Sequence, residues 1–370
     1  MMRMLGLLLL LVFFSPLPAS AATWYVDASV ASSGDGTTWA TAFKIIQEGI
    51  DAAPHGDKVL VAQGTYVENI KFNGNNITLT STDPLNPSIV ANTIIDGSQS
   101  GSVVTFSGTE DETCVLSGFT IRNGHGVYGG GICGGTWEKT ARAAIENSLV
   151  TGNWARYGGG GMAHCGGTIR ANVVSQNSTD QSSGAVVNCH GTIVKNAIVE
   201  NKGEGLYACN GLIEENRISE NGSNGLSSCD GIIQNNLISR NGGNGLHYCH
   251  ATIENNVISK NLSAGVYQCS GLILNNTIFG NSLGLYNCAG PIRNCIIWGN
   301  RVYRQLDGSS SPMYSCIENW NRGGEGNIPS NPYFISAETD DFRLESWSSC
   351  IDAGDPASPF SNEPEPNGSR

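Results

Sequence analysis

Charge is scarce in this chain. Asp, Glu, Lys and Arg make up 14% of its 370 residues, and the 20 Lys and Arg nowhere form a cluster. Nucleic acid is therefore not expected as a partner, because binding it needs a basic stripe that displaces counterions. The formal net charge of −12 also opposes unaided capture of an acidic glycan, which would need a bridging cation. No cofactor is otherwise implied, and calcium enters only if the substrate is such a glycan. Long apolar runs are equally scarce. Leu5 to Phe14 has the length of a signal-peptide core and is too short for a permanent membrane anchor. Arg3 precedes it, Pro16 and Pro18 break it, and Ala19-Ser20-Ala21 offers small residues for cleavage. No Cys stands at the cut, so a lipoprotein is not expected. Residues 1–21 read as a signal peptide, and the mature chain is expected to be secreted or on the cell surface. No later segment is apolar for long enough to span a membrane.

What is plentiful is Gly, Asn and Cys, and they are periodic. Cys189, Cys209, Cys229, Cys249 and Cys269 recur at one fixed interval, with Cys165 before them and Cys288 after. Apolar residues recur with them in three slots. One holds Ile169, Ile193, Ile213, Ile233, Ile253, Ile273 and Ile292. A second holds Val174, Ile198, Ile218, Ile238, Ile258, Ile278 and Ile297, and a third holds Met162, Val186, Leu206, Leu226, Leu246, Val266 and Leu285. Short apolar segments bounded by Gly or Asn describe three strands and three turns per repeat. Gly and Asn at this frequency rule out a helix, and the spacing leaves no room for crossover helices in a flat parallel sheet. A coil that climbs one strand spacing, ~4.8 Å, per repeat satisfies the pattern. The predicted fold is all-β, a right-handed parallel β-helix of three-strand coils with about 20 residues each.

Two Asn columns accompany the apolar slots. One is Asn123, Asn153, Asn177, Asn201, Asn221, Asn241, Asn261, Asn281 and Asn300; the other is Asn172, Asn196, Asn216, Asn236, Asn256 and Asn276. Asn tolerates the left-handed backbone of a sharp corner, and stacked carboxamides hydrogen-bond from rung to rung. These columns are expected to be structural. The Cys column admits three readings: an inward stack of free thiols, disulfides between neighbouring rungs, or metal ligands. The last is the weakest, since a straight ladder does not converge on an ion. Cys316 and Cys350 lie outside the column and are candidates to pair with each other.

Along the chain, residues 22–58 hold a first strand at Trp24 to Asp27 and a short helix with Phe43, Ile46, Ile50 and Ala53 on one face. That helix is expected to cap the open end of the solenoid. Residues 59–300 form the parallel β-helix, with Gly-rich interruptions at 129–135 and 158–161 that are expected to protrude as loops. Residues 301–370 read as a C-terminal cap or tail.

Several segments resemble bacterial right-handed β-helix proteins of the pectate-lyase-like superfamily. They are TWYVDASVASSGDGTTWATAFKIIQEGIDAAPHGDKVLVAQGTYVENI, FTIRNG, NCIIWGN, MYSCIENW with GEGN, and DDFRLESWSSCIDAGDP. The resemblance implies an exported protein that binds or processes polysaccharide, and, if an enzyme, a polysaccharide lyase or glycoside hydrolase. Relatives run on past the Asn-Gly near position 367, often into a surface anchor, so the resemblance leaves an anchor open. The calcium-binding Asp cluster with a basic residue, known from pectate lyases, is not matched, nor are the Asp pairs of polygalacturonases. No catalytic residue is therefore carried over.

Outward columns remain as the place for chemistry. Two residues before successive Cys come Tyr207, Ser227, His247, Tyr267 and Tyr286, and the Tyr and His among them make a stripe suited to stacking on sugar rings. Asp230 with His247 or His250 would make an acid–base pair. Glu200, Glu220, Arg240 and Lys260 read as a solvated ion-pair ladder. The competing function is a structural or adhesive surface protein that uses the solenoid as a rigid spacer.

Overall fold

The computed structural model describes residues 21–181, 183–301 and 305–358. Residues 1–20, where the leader reading falls, lie outside this set. Each turn of the chain lays down three short strands, and successive turns stack them into three long parallel sheets of 12, 12 and 11 strands. Sheet 1 runs from Thr23–Val26 to Ile292–Arg293, sheet 2 from Gly64–Val67 to Cys316–Ile317, and sheet 3 from Ile70–Lys71 to Leu306–Asp307.

The register places each apolar column directly on itself. Ile213, Ile233, Ile253 and Ile273 are partners along sheet 1. Ile218, Ile238, Ile258 and Ile278 are partners along sheet 2. Leu206, Leu226, Leu246 and Val266 are partners along sheet 3. All are fully buried. Each contributes about 1.5–3 kcal/mol of burial, so every rung adds a similar increment and the core grows in one dimension.

The Asn columns are the corners of this coil, but not by adopting its left-handed backbone. The left-handed residue is the one just before each Asn: Glu200, Glu220, Arg240 and Lys260 on one edge, Lys195, Glu215, Asn235 and Asn255 on the other. In the first Asn column only Asn123 itself has positive φ. The reason lies in the carboxamide, which must face inward. Asn241 Oδ1 accepts from Asn221 N–H at 3.2 Å and from Asn221 Nδ2 at 3.0 Å, while Asn241 Nδ2 donates to the Ile218 carbonyl at 3.0 Å. The neighbouring residue takes the strain, roughly 1–2 kcal/mol, and the ladder offsets it with several buried hydrogen bonds of about 1 kcal/mol each. Gln305 ends this ladder, its Oε1 accepting from Asn300 Nδ2 at 2.6 Å.

The Cys column makes the third corner. All its thiols are free, and Cys189, Cys209, Cys229, Cys249, Cys269 and Cys288 are fully buried. Each thiol donates to the carbonyl two residues back, at 3.4 Å for Cys189 and Cys229 and 3.5 Å for Cys209. Burial pushes the Cys189, Cys209 and Cys229 thiols up, which keeps them protonated and inert. Cys316 joins sheet 2 beside Ile296, and its thiol stands against that of Cys350 without a disulfide between them.

Both ends are covered. Helix α1 (Ile46–Ala52) buries Ile46 and Ile50 over the first coil. Its N-terminal N–H groups, which have no partner within the helix, meet Glu68, whose carboxylate accepts from Ile46 at 2.7 Å and Gln47 at 3.0 Å. At the other end the strands run past residue 300 for one further turn, with Trp320 packed on the core. The chain then doubles back along the flank. A hairpin of Phe334–Ser336 and Asp341–Leu344 packs Phe334 and Phe342 on Phe279. Asp340 at its tip is clamped by Arg240 and by Lys260. The mixed-charge column is thus not simply a solvated ladder: half of it holds the returning arm.

Candidate functional site

Sheet 3 carries the outward stripe. Tyr207, Ser227, His247, Tyr267 and Tyr286 are consecutive partners on five rungs, so about 4.8 Å separates each from the next. Their alternation with the buried Leu column follows from the two-residue period of a strand. Tyr267 and Tyr286 stack at 5.0 Å with planes 14° apart, and His247 lies 5.2 Å from Tyr267. Tyr248, left-handed at the corner and 43% exposed, adds an edge 4.4 Å from His247 and 6.0 Å from Tyr267. The result is an aromatic platform of four rings. Tyr207 stands apart from it, beyond the small, buried Ser227.

A carboxyl closes that gap. Glu204, in the turn leading to Tyr207, accepts from Ser227 Oγ at 2.6 Å and from Asn224 Nδ2 at 2.9 Å. Burial raises its pKa; the bonds from Ser227 and Asn224 and the nearby His247 oppose this and offset it only in part. A carboxyl held protonated above its usual range beside an imidazole can donate a proton. The sequence signal was a break in a column. Asn224 and Asn244 form a short ladder of their own, and Glu204 occupies the position one rung earlier.

Of the sequence-derived acid–base pairs, Asp230 meets His250 through its backbone and not through its ring. Asp230 Oδ1 accepts the His250 backbone N–H at 2.9 Å, and His250 Nδ1 meets Ser270 Oγ at 2.7 Å. Asn210 Oδ1 likewise accepts the Asp230 N–H at 3.0 Å. These side chains cap the backbone of the next rung. Among the described residues no hydrogen bond or ion pair joins Asp230 to the ring of His247 or His250. Nor do three or more His, Cys, Asp or Glu side chains among them group to hold a metal ion.

No protein-family model matches the sequence, and no curated protein matches it. Solved structures do match. Pectate lyase Pel9A superposes with a TM-score of 0.54 over 93% of both chains at 16% identity. The A-module of the Azotobacter vinelandii mannuronan C-5 epimerase AlgE4 gives 0.49 over 83% of this chain and 100% of that one, at 18% identity. The fold is the right-handed parallel β-helix of pectate lyases. Within this β-helix the aromatic platform and Glu204 share the outward side of sheet 3, while the returning arm occupies a different flank. Among the described residues no helix is long and apolar enough to cross a membrane.

Proposed function

We propose that this β-helix is an exported protein that binds polysaccharide along the outward face of sheet 3 and uses Glu204 as a proton donor there. The stacked Tyr267–Tyr286 pair, continued by His247 and Tyr248, carries the reading. The stacked pair turns its inner faces on itself, so a sugar chain laid along the solenoid axis would meet its ring edges and phenol hydroxyls, and the apolar surface of the neighbouring His247 and Tyr248 rings. Pectate lyase Pel9A, the structure of similar fold, supports a glycan as the ligand class. The reaction itself is left at acid–base chemistry on a glycosidic chain. Calcium takes part only if that chain is acidic.

The test is a polysaccharide panel read for new reducing ends and for unsaturated products, run beside a binding assay. Tyr267→Ala should weaken binding at least tenfold. Glu204→Gln should preserve binding and abolish turnover. Binding to no glycan by the intact protein would sink the reading and leave the rigid-spacer alternative. Turnover unchanged in Glu204→Gln would leave a binding surface without the proposed donor.

A further inference from the structure

The coils before residue 185 carry an insertion that the later coils lack. Asn123 and Ile132 are separated by a strand, His125–Tyr128, where Asn221 and Leu226 are joined by a tight turn. With Trp154–Gly158 and Ser178–Thr179 this strand forms a separate three-stranded parallel sheet, a ledge beside sheet 3. Under the ledge lies a cavity of about 460 Å³ walled by Tyr128, Trp137 and His164. The three rings meet at steep angles. Tyr128 and Trp137 are 6.5 Å apart at 84°, Tyr128 and His164 5.2 Å at 68°, and Trp137 and His164 5.2 Å at 61°. They form walls, not a stack that fills the space.

Two features distinguish this cavity from a small core. Trp137 is 64% exposed and Val127 61% exposed, although both lie on its rim. His164 is only 2% exposed, holds a left-handed backbone, and leaves Nδ1 without a hydrogen-bond partner. A buried nitrogen without a partner is a standing cost that a ligand hydroxyl could relieve if the ring shifts to meet it. No Asp, Glu, Lys or Arg lines the cavity; its polar side chains are Ser102, His125, Thr136 and His164.

We propose that this cavity is a subsite for one uncharged pyranose ring, placed before the start of the outward stripe of sheet 3. This rests on the polysaccharide reading above and adds its substrate class. A pyranose presents an apolar C–H face and a hydroxyl edge, which match aromatic walls and hydrogen-bonding groups. A uronate carboxylate would lose its water here and meet no Lys or Arg in return. His164 belongs to the same run of chain as the sheet 3 strand Met162–Ala163, two rungs from Leu206–Tyr207, so roughly 10 Å separates the cavity from the start of the stripe. One continuous glycan chain can reach both.

The test titrates neutral hexasaccharides (xylo- and manno-) and acidic ones (oligogalacturonate and oligomannuronate) into the intact protein, read by calorimetry and by tryptophan fluorescence. Wild type, Trp137→Ala, Trp137→Phe and Tyr267→Ala are compared. Trp137 is largely exposed, so its variants should keep the wild-type circular dichroism. Expected are binding of a neutral hexasaccharide with a change in fluorescence, a tenfold or greater loss in Trp137→Ala, and substantial recovery in Trp137→Phe. Selective binding of the acidic probes, or wild-type affinity in Trp137→Ala while Tyr267→Ala is impaired, overturns the subsite and leaves the polysaccharide reading standing. Failure of every probe to bind removes both.

Discussion

The later coils and the earlier ones solve the same packing problem with different freedom. From about Asn188 to Asn300 each turn repeats the last, and the inward Asn at each of two corners bonds to its own copy one rung away. Before that, larger turns break the repeat and raise a ledge that walls a cavity with rings from separate segments. Strict repetition therefore leaves few positions for chemistry: the outward residue of each sheet 3 strand, and the rare column that changes identity, as at Glu204. Irregularity costs ladder contacts but makes concave surface. The lesson is that function in this solenoid should concentrate where the repeat is broken or where a column faces outward.

That contrast should be visible in stability. A methyl group on Gly231 would stand 2.0 Å from the Gly211 carbonyl oxygen and 2.6 Å from that of Asn210, both rigid backbone of the rung below. Gly231→Ala should lose about 3 kcal/mol or more, measured by chemical denaturation. Gly152, in the earlier region, has nothing within 4 Å of such a methyl and only its φ of +65° to maintain. Gly152→Ala should lose about 1 kcal/mol. Equal losses would break the comparison, because they would show that the backbone under Gly231 yields as readily as the open space beside Gly152.

Next in size is Asn241→Ala. It removes one link from the middle of the buried ladder and leaves the Ile218 carbonyl and the Asn221 amide without partners. About 2–3 kcal/mol should be lost. A loss within a few tenths of a kcal/mol would mean that water replaces the ladder, and the Asn column would not be what holds the corner.

A smaller effect should follow from Asp340→Asn, which releases the returning arm from Arg240 and Lys260. Exposed pairs of this kind contribute about 1 kcal/mol or less. Limited proteolysis within 321–358 should accelerate severalfold while denaturation of the solenoid barely moves. Burial acts to raise the Asp340 pKa, but the bonds from Lys260 and Arg240 dominate and lower it. The docking energy is then present above the ordinary Asp value of ~3.9 and is lost as pH falls through the lower, folded-state value. Proteolysis of wild type that stays slower than that of Asp340→Asn by the same factor however far the pH falls below ~3.9 would contradict the clamp.

Much of this architecture was legible because repetition amplifies weak signals. One Ile at a strand position says little; Ile213, Ile233, Ile253 and Ile273 at one interval leave no other fold. The corner chemistry was legible only in part. Asn was identified as the ladder residue, but Lys195, Glu215 and Arg240 carry the left-handed backbone, and nothing in those residue types announces it. The ledge was out of reach for a different reason. Tyr128 and Trp137 lie on separate irregular segments, and His164, although it holds the same corner position as Tyr248, meets them only because those segments fold over it. Tyr248 was passed over because it sits at a corner, one residue after the outward strand position that holds His247.

Glu204 offers the finest test, since it asks whether a regular coil can hold a group for chemistry at the expense of stability. Its folded-state pKa is raised, chiefly by burial. Below the ordinary Glu value of ~4.3 the carboxyl is protonated in both folded and unfolded chains, and the folded state bears no penalty. As pH rises the unfolded chain ionises first, and the protein loses stability until the folded carboxyl has ionised too. Glu204→Gln keeps the shape and much of the hydrogen bonding but cannot ionise. Its melting temperature relative to wild type should therefore rise from pH 4 to pH 7, by an amount on the order of 1 kcal/mol or less in stability. A difference that stays flat across that range, or narrows, would show that Glu204 ionises as freely as an exposed carboxylate. The stripe would then keep its platform of rings but lose the proton donor that makes it more than a binding surface.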